Sequence, residues 1–540
     1  MTGSRLIAIV CAIFALPVLA DEPPREPLQA VVDYHINQRL QSAGIVPAAT
    51  LEDFAWLRRV TLDLAGRIPS QSEVAHFRSD SSDNKREVAV DRLMNSADYA
   101  YHERNFLDNL LQSEYDGDKE WRAWLLRSIR EGRSWHEMFR TMMNGNDDNS
   151  DEKPALAFLK KRANDIDAMT NDASRLFFGV SVNCAQCHDH PLVDDWKQDH
   201  YFGFKSFFAR TYVTKAQLLA EKPPVEVKFK TTEGEDKVAK LLFLTGAVVE
   251  EPEDKRSDEQ KKADDEAIQK QIREDNAPRP PRPSFSPRRK LVDTALSGEN
   301  SQLFARAMAN RVWARFFARG LVHPLDQLHS ENPASHPELF EWLAREFRNH
   351  NYNMRWLERG LVLSDAYART SVWESDGEAP AAELFAVGAI RPLAPRQYAM
   401  TMLLATTNPE DFNKWQSADA WPAKRRELED RADSWRREFE LPGENFNVAV
   451  DEALLFANGD RVMNDFLRDG GDKLVGYLLK IEDADETITR AFAAVLSREP
   501  REGERSAFRE FMSQREEKRV DGVRDMVWAL ITSPELRFNH

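Results

Sequence analysis

The sequence predicts a mainly α protein: two helical domains joined by a small β-containing insert and a charged, Pro-rich linker. Three observations carry that class. Apolar residues recur at helical spacing through most of the first 212 residues, the stretch 213–286 alternates like strands and then gives way to charge and proline, and the helical period returns from residue 287. No repeat of fixed length is visible, so a solenoid is not indicated.

Taken in order, residues 1–20 read as a secretory signal. Arg5 supplies a short positive start, Leu6 to Leu19 an apolar run, and Ala20 a small residue before Asp21. Cleavage there would carry off Cys11, which follows Val10 rather than a small residue, a context against lipoprotein processing. Two of the three cysteines would remain. The Pro-rich residues 21–27 then form an exposed tether.

The first domain, 21–212, opens with a helix from about 28 to 44, on which Val31, Val32, Ile36 and Leu40 share a face. A second spans 51–64 and stops at Gly66 before Ile68-Pro69. Ser70 and Glu73 make a capping box for the third. Helical patterns follow at 84–94, 99–111, 119–131 and 135–143, then an Asn/Asp loop at 145–151. A helix over 166–178 leads into the only chemical motif. After it, Phe202, Phe204, Phe207 and Phe208 fit ordinary core better than the wall of a cofactor pocket.

In the insert, 213–286, the alternation of 225–229 predicts a strand that could pair with 241–249. Residues 250–275 are nearly all charged, either a solvated helix or disorder, and 278–283 (PRPPRP) form an extended linker. The second domain, 287–540, shows a strongly amphipathic helix at 304–317 that ends by Gly320. Ser335-His336-Pro337-Glu338 reads as a capping box with proline just inside the next helix. Further helices are indicated at 356–363, 395–404, 423–439, 459–467, 472–479, 484–496, 502–516 and 521–532.

The motif is Asn183-Cys184-Ala185-Gln186-Cys187-His188-Asp189-His190-Pro191. C-x-x-C-H is the c-type haem attachment pattern: two thiols each form a thioether to a haem vinyl group, and the next residue offers an imidazole to the iron. Cys184 and Cys187 are thus the expected attachment points for haem c and His188 the iron ligand. Two rival readings stand beside it: a Cys184/Cys187 disulfide, or a tetrahedral metal site completed by two of His188, His190 and His200. His200 is a candidate for the far side of a haem. Asp194 and Asp195 read as turn formers, while Asp189 reads equally as a turn former or as a partner for a ligating imidazole. His323, His329 and His336, with Asp326 and Glu331, have no metal-site spacing.

Several stretches resemble a pair of linked domains found in secreted planctomycete proteins, the cytochrome-c-like domain of unknown function followed by the planctomycete secreted domain. They are LRRVTLDLAGRIPS (57–70), FFGVSVNCAQCHDHPLVDDWKQDHYFGFKSFFART (177–211), NRVWARFFARGLVHPLDQLHSENPASHPELFEWLAREF (310–347), LVLSDAYART (361–370) and MVWALITSPELRFNH (526–540). The resemblance implies export and repeats the haem reading of Cys184, Cys187 and His188. It implies no particular reaction.

The formal charge of −16 argues against general binding to nucleic acid, and no later stretch is apolar enough for a membrane anchor. No nucleophile elbow, phosphate loop, dinucleotide fingerprint or zinc-protease helix is present, so no catalytic residue is assigned. The sequence therefore predicts an exported protein of the periplasm, envelope or exterior, with a redox partner or an envelope protein as its partner. It would carry electrons or sense redox state through haem at Cys184, Cys187 and His188. The alternatives are an envelope interaction protein with a disulfide or structural metal, and, more weakly, a hydrolase of an extracellular polymer.

Overall fold

The computed structural model describes residues 27–112, 118–190, 193–375, 377–415, 420–440 and 450–540. The leader expected over 1–20 lies outside these residues. The described chain is mainly helical, and its strands form two-stranded sheets of two or three residues per strand that cannot make a core by themselves.

Periodicity places most helices within a few residues. Leu28–Ser42 buries Leu28, Val31, Val32, Ile36 and Leu40 on one face, and Ser70 and Glu73 cap Gln71–Ser79 reciprocally as expected. The lead-in helix is Ile166–Phe178, started by the Asp165 carboxylate, which accepts the Ala168 N–H at 2.9 Å.

Three readings change, and the choice left open for the charged run falls to the helix. The strand Lys228–Lys230 pairs with Asp236–Val238, while Leu241–Leu242 turns back on Val248–Val249. Short turns at Gly234 and Gly246 close each hairpin locally, with less chain entropy lost than in the longer pairing of 225–229 with 241–249. The charged run contains a helix, Asp258–Arg273, opened by a Ser257/Gln260 capping box. The helix Asn300–Phe317 ends on Ala318, whose φ of 62° makes it the left-handed cap in place of Gly320. In Pro337–Asn349, proline holds the first position as expected, but His336 is the capping residue and gives no side-chain cap. Its ring is turned inward beside Phe385.

Apolar side chains gather into two large clusters. The first runs from Leu28 to Ala386, so residues on both sides of position 287 share one core. Asn300–Phe317 lies at its middle: Phe304 meets Trp135, Phe139 and Phe178, and small Ala305, Ala307 and Ala309 let neighbouring elements come close. The second holds residues 393–536 together with Leu62 and Ile68 of the N-terminal helices.

The two clusters meet over buried ion pairs. Asp98 is fully buried and accepts from Arg67 Nε (2.8 Å), Arg425 Nε (2.7 Å) and Trp421 Nε1 (2.9 Å). Glu429 receives Arg425, Arg104 and the Asn105 amide. Burial pushes the Glu429 carboxyl upward, but Arg425, Arg104 and Arg396 together hold it well below the usual carboxylate range.

Candidate functional site

The lead-in helix ends at Gly179, whose φ of 65° is a left-handed cap. A Cβ there would lie 2.7 Å from Leu328 Cδ1, so glycine is required both by the backbone and by the approach of a loop from the second half. That loop is fastened directly: Leu328 N–H donates to Gly179 O at 3.0 Å and Val180 bridges Gln327. Arg311 reaches Arg175 O at 2.7 Å and pairs with Asp326.

The motif follows as a single 3-10 turn, Asn183–Gln186, in which only Ala185 is buried. Cys184 lies within the turn and Cys187 just after it, both as exposed free thiols, and His188 is exposed beside them. His188 Nδ1 lies 2.7 Å from the Asp189 carbonyl oxygen. A carbonyl only accepts, so Nδ1 carries the proton, and in the neutral ring Nε2 keeps its lone pair. This is the tautomer that an Nε2 iron ligand requires, fixed by a backbone acceptor as metal-binding imidazoles commonly are.

Buried Gln198, at the start of the helix Gln198–Ser206, holds the turn from below. Its amide donates to Cys187 O (3.2 Å) and Lys230 O (3.4 Å), its Oε1 accepts Thr232 N–H (3.2 Å), and its own N–H donates to Asp189 Oδ1 (2.8 Å). The insert is thereby docked next to the motif, with Phe229 stacked on Phe202 at 4.3 Å. Tyr201 donates to Asp167. Burial pushes its phenol up first, with the carboxylates of Asp167 and Asp165 and the nearby Cys187 adding to the effect.

The expected residues come together only in part. His200 accepts the Lys197 N–H on Nδ1 at 3.3 Å and meets Trp196 edge-on, so its neutral ring carries the proton on Nε2. It would have to change tautomer to bind iron through that atom. Burial lowers its pKa. Phe204, Phe207 and Phe208 are core: Phe204 packs against Phe178 and Phe243, and Phe207 and Phe208 pack against Phe204. Among the described residues no three of His, Cys, Asp and Glu converge as a metal-holding group, so the tetrahedral alternative finds no ready donor set.

Asp195 is more than a turn former: it reaches across to Ser330, accepting N–H at 2.7 Å and Oγ–H at 2.9 Å. His329 lies nearby: burial pushes its imidazole down, Asp195 pulls it up, and the nearness of His190 pushes it down again. Sequence reasoning grouped His329 with His323 and His336, and no spacing links it to the motif. Gln198 was equally silent, although it lies within the 177–211 stretch.

For covalent haem the donor set fits. The two thiols lie on one exposed turn, and the adjacent imidazole has its ligating nitrogen free. Cys184, Cys187 and His188 are the residues that would hold the group.

Residues 31–213 match the family PSCyt2, a protein of unknown function (DUF1549), and residues 287–447 match PSD1, a protein of unknown function (DUF1553). No curated protein and no solved structure matches the chain. The motif lies inside the first region. The chain thus carries, in order, a region similar to PSCyt2 and a region similar to PSD1, in keeping with the planctomycete domain pair that its sequence resembles.

Proposed function

We propose that the protein is an exported c-type haem protein, binding one haem covalently through Cys184 and Cys187 with His188 as an iron ligand, and serving electron transfer or redox sensing. The observation that carries this reading is the fixed tautomer of His188 beside two exposed thiols. Bound haem would supply one-electron chemistry. The chain's own part is positional. Asp189 O orients the imidazole, Gln198 pins the carbonyl of Cys187, and Asp195 ties the loop to the second half. Both cysteines must be reduced when the thioethers form, which suits thiols that stand free at the surface. Export rests on the leader expected over 1–20.

The same adjacent, exposed thiols support a second reading, a local disulfide in an envelope interaction protein. One experiment separates the two: a pyridine haemochrome spectrum and intact mass of mature protein from a host that attaches haem c, beside the Cys184→Ala, Cys187→Ala variant. A haem-sized mass increment absent from the variant supports the haem protein. Bare polypeptide mass in both, with a control cytochrome matured in the same cells, sinks it. A loss of two hydrogens that reductant restores would then favour the disulfide.

A further inference from the structure

We propose that a cleft in the C-terminal bundle, outside both family-matched regions, binds an uncharged polysaccharide chain. The cleft has a volume of about 1500 Å³ and is lined by residues between Phe456 and Ala529. Phe456, Met463, Leu467, Phe508, Phe511 and Trp528 supply its apolar lining. Met463 is 40% exposed and Trp528 38%. Exposed apolar groups of this size, gathered in a concavity, mark a binding surface rather than scattered surface residues.

Two side chains tie parts of this lining together. Trp528 Nε1–H donates to Phe456 O at 2.9 Å, and Arg524 Nε–H donates to Leu467 O at 3.3 Å. The indole is therefore a fixed platform. In the same lining, Met463–Leu467 is a π-helical turn, a wide turn that recurs at functional sites.

The rim decides the ligand class. Three cations (Arg515, Lys518, Arg524) face four carboxylates (Glu516, Glu517, Asp521, Asp525), which leaves the mouth one charge from neutral. Arg515 already pairs with Asp525, and Arg524 with Asp521 at 2.9 Å. At these two pairs a charged guest would have to displace a partner from its own charge, and the remaining Lys518, Glu516 and Glu517 sum to a single negative charge. A wholly apolar guest would strip water from these groups at a cost. An uncharged polyhydroxylated chain meets both demands: its C–H faces lie on the aromatic rings, and its hydroxyls donate to carboxylates and accept from guanidiniums. The volume exceeds the roughly 300–1,000 Å³ of small-molecule pockets, which favours several linked sugar units over one.

This proposal is independent of the haem reading. Its test is affinity electrophoresis of the full chain in gels containing neutral polysaccharides (a β-glucan, a xylan, a mannan, a dextran), beside alginate and heparin. The expected result is retardation by at least one neutral polymer, weakened tenfold or more in Trp528→Ala, largely restored in Trp528→Phe, and unchanged in the Cys184→Ala, Cys187→Ala variant. Asp521→Asn, at an exposed rim position, should weaken binding severalfold and keeps the test open if Trp528→Ala does not fold. Three results would overturn the proposal: no retardation by any neutral polymer, retardation by the anionic polymers alone, or retardation indifferent to both cleft variants.

Discussion

Asp195 and Ser330 stand 135 residues apart in the chain and are joined by two hydrogen bonds, at 2.7 and 2.9 Å. The first is in the loop that follows the thiols, the second in a segment of the other matched region. The conformation of the motif loop is thus set from outside its own region. Asp195→Ala should lower global stability by only about 1 kcal/mol, because the contact is at the surface. Locally its effect should be larger. Amide exchange in 183–200 is expected to speed up while the lead-in helix stays protected, and equal exchange in variant and parent would show that the contact has no hold on the loop.

Gly179 combines two constraints, a left-handed φ and a Leu328 side chain only 2.7 Å from where a Cβ would stand. Gly179→Ala should therefore cost about 2–3 kcal/mol, part from the backbone and part from the collision. Adding Leu328→Ala removes the collision alone. Urea midpoints of the single and double variants should differ from additivity in the direction of rescue, and strict additivity would mean that the two residues do not meet.

Asp98 is the shared acceptor for Arg67, Arg425 and Trp421 where the two apolar clusters join. Asp98→Ala leaves two guanidiniums buried and short of a partner, with an expected loss of about 3–5 kcal/mol in denaturant unfolding. A loss below about 1 kcal/mol would argue that water reaches the junction.

Glu358 is fully buried, accepts from Tyr99 Oη at 2.7 Å and shares Arg315 with Glu103. Burial and then the Glu103 carboxylate raise its pKa well above the ordinary 4.5, against the pull of Arg315. The folded protein keeps a proton that the unfolded chain releases above about pH 4.5. This group's contribution to stability is complete below that pH and is lost as pH rises toward its folded value. Glu358→Gln should flatten the decline and leave the variant more stable than the parent on the alkaline side. Parallel melting-temperature profiles from about pH 5 to 9 would refute it.

Acid acts in the opposite sense on Glu73. Burial raises its carboxyl, but the Arg67 guanidinium outweighs that and brings it down to about 2. The pairing stabilises the fold above the unfolded value of 4.5 and is lost as pH falls through about 2. Glu73→Gln should be less stable at neutral pH and show a shallower acid transition between pH 4.5 and about 2, followed by far-UV circular dichroism. An unchanged acid transition would detach Glu73 from it.

The sequence by itself determined the helical class, most helix positions and the existence of the thiol–imidazole turn. These depend on residues close in the chain: the period of Val31, Val32, Ile36 and Leu40, the Ser70/Glu73 box, and the spacing of Cys184, Cys187 and His188. Only the tertiary structure decided that residues before and after 287 share a core, that Gln198 and Ser330 hold the motif, and that His200 presents the other tautomer. The reason is range. Periodicity and capping are local, whereas a buried amide's choice of carbonyl, or a carboxylate's choice of partner across the chain, follows from packing and leaves no pattern along the chain.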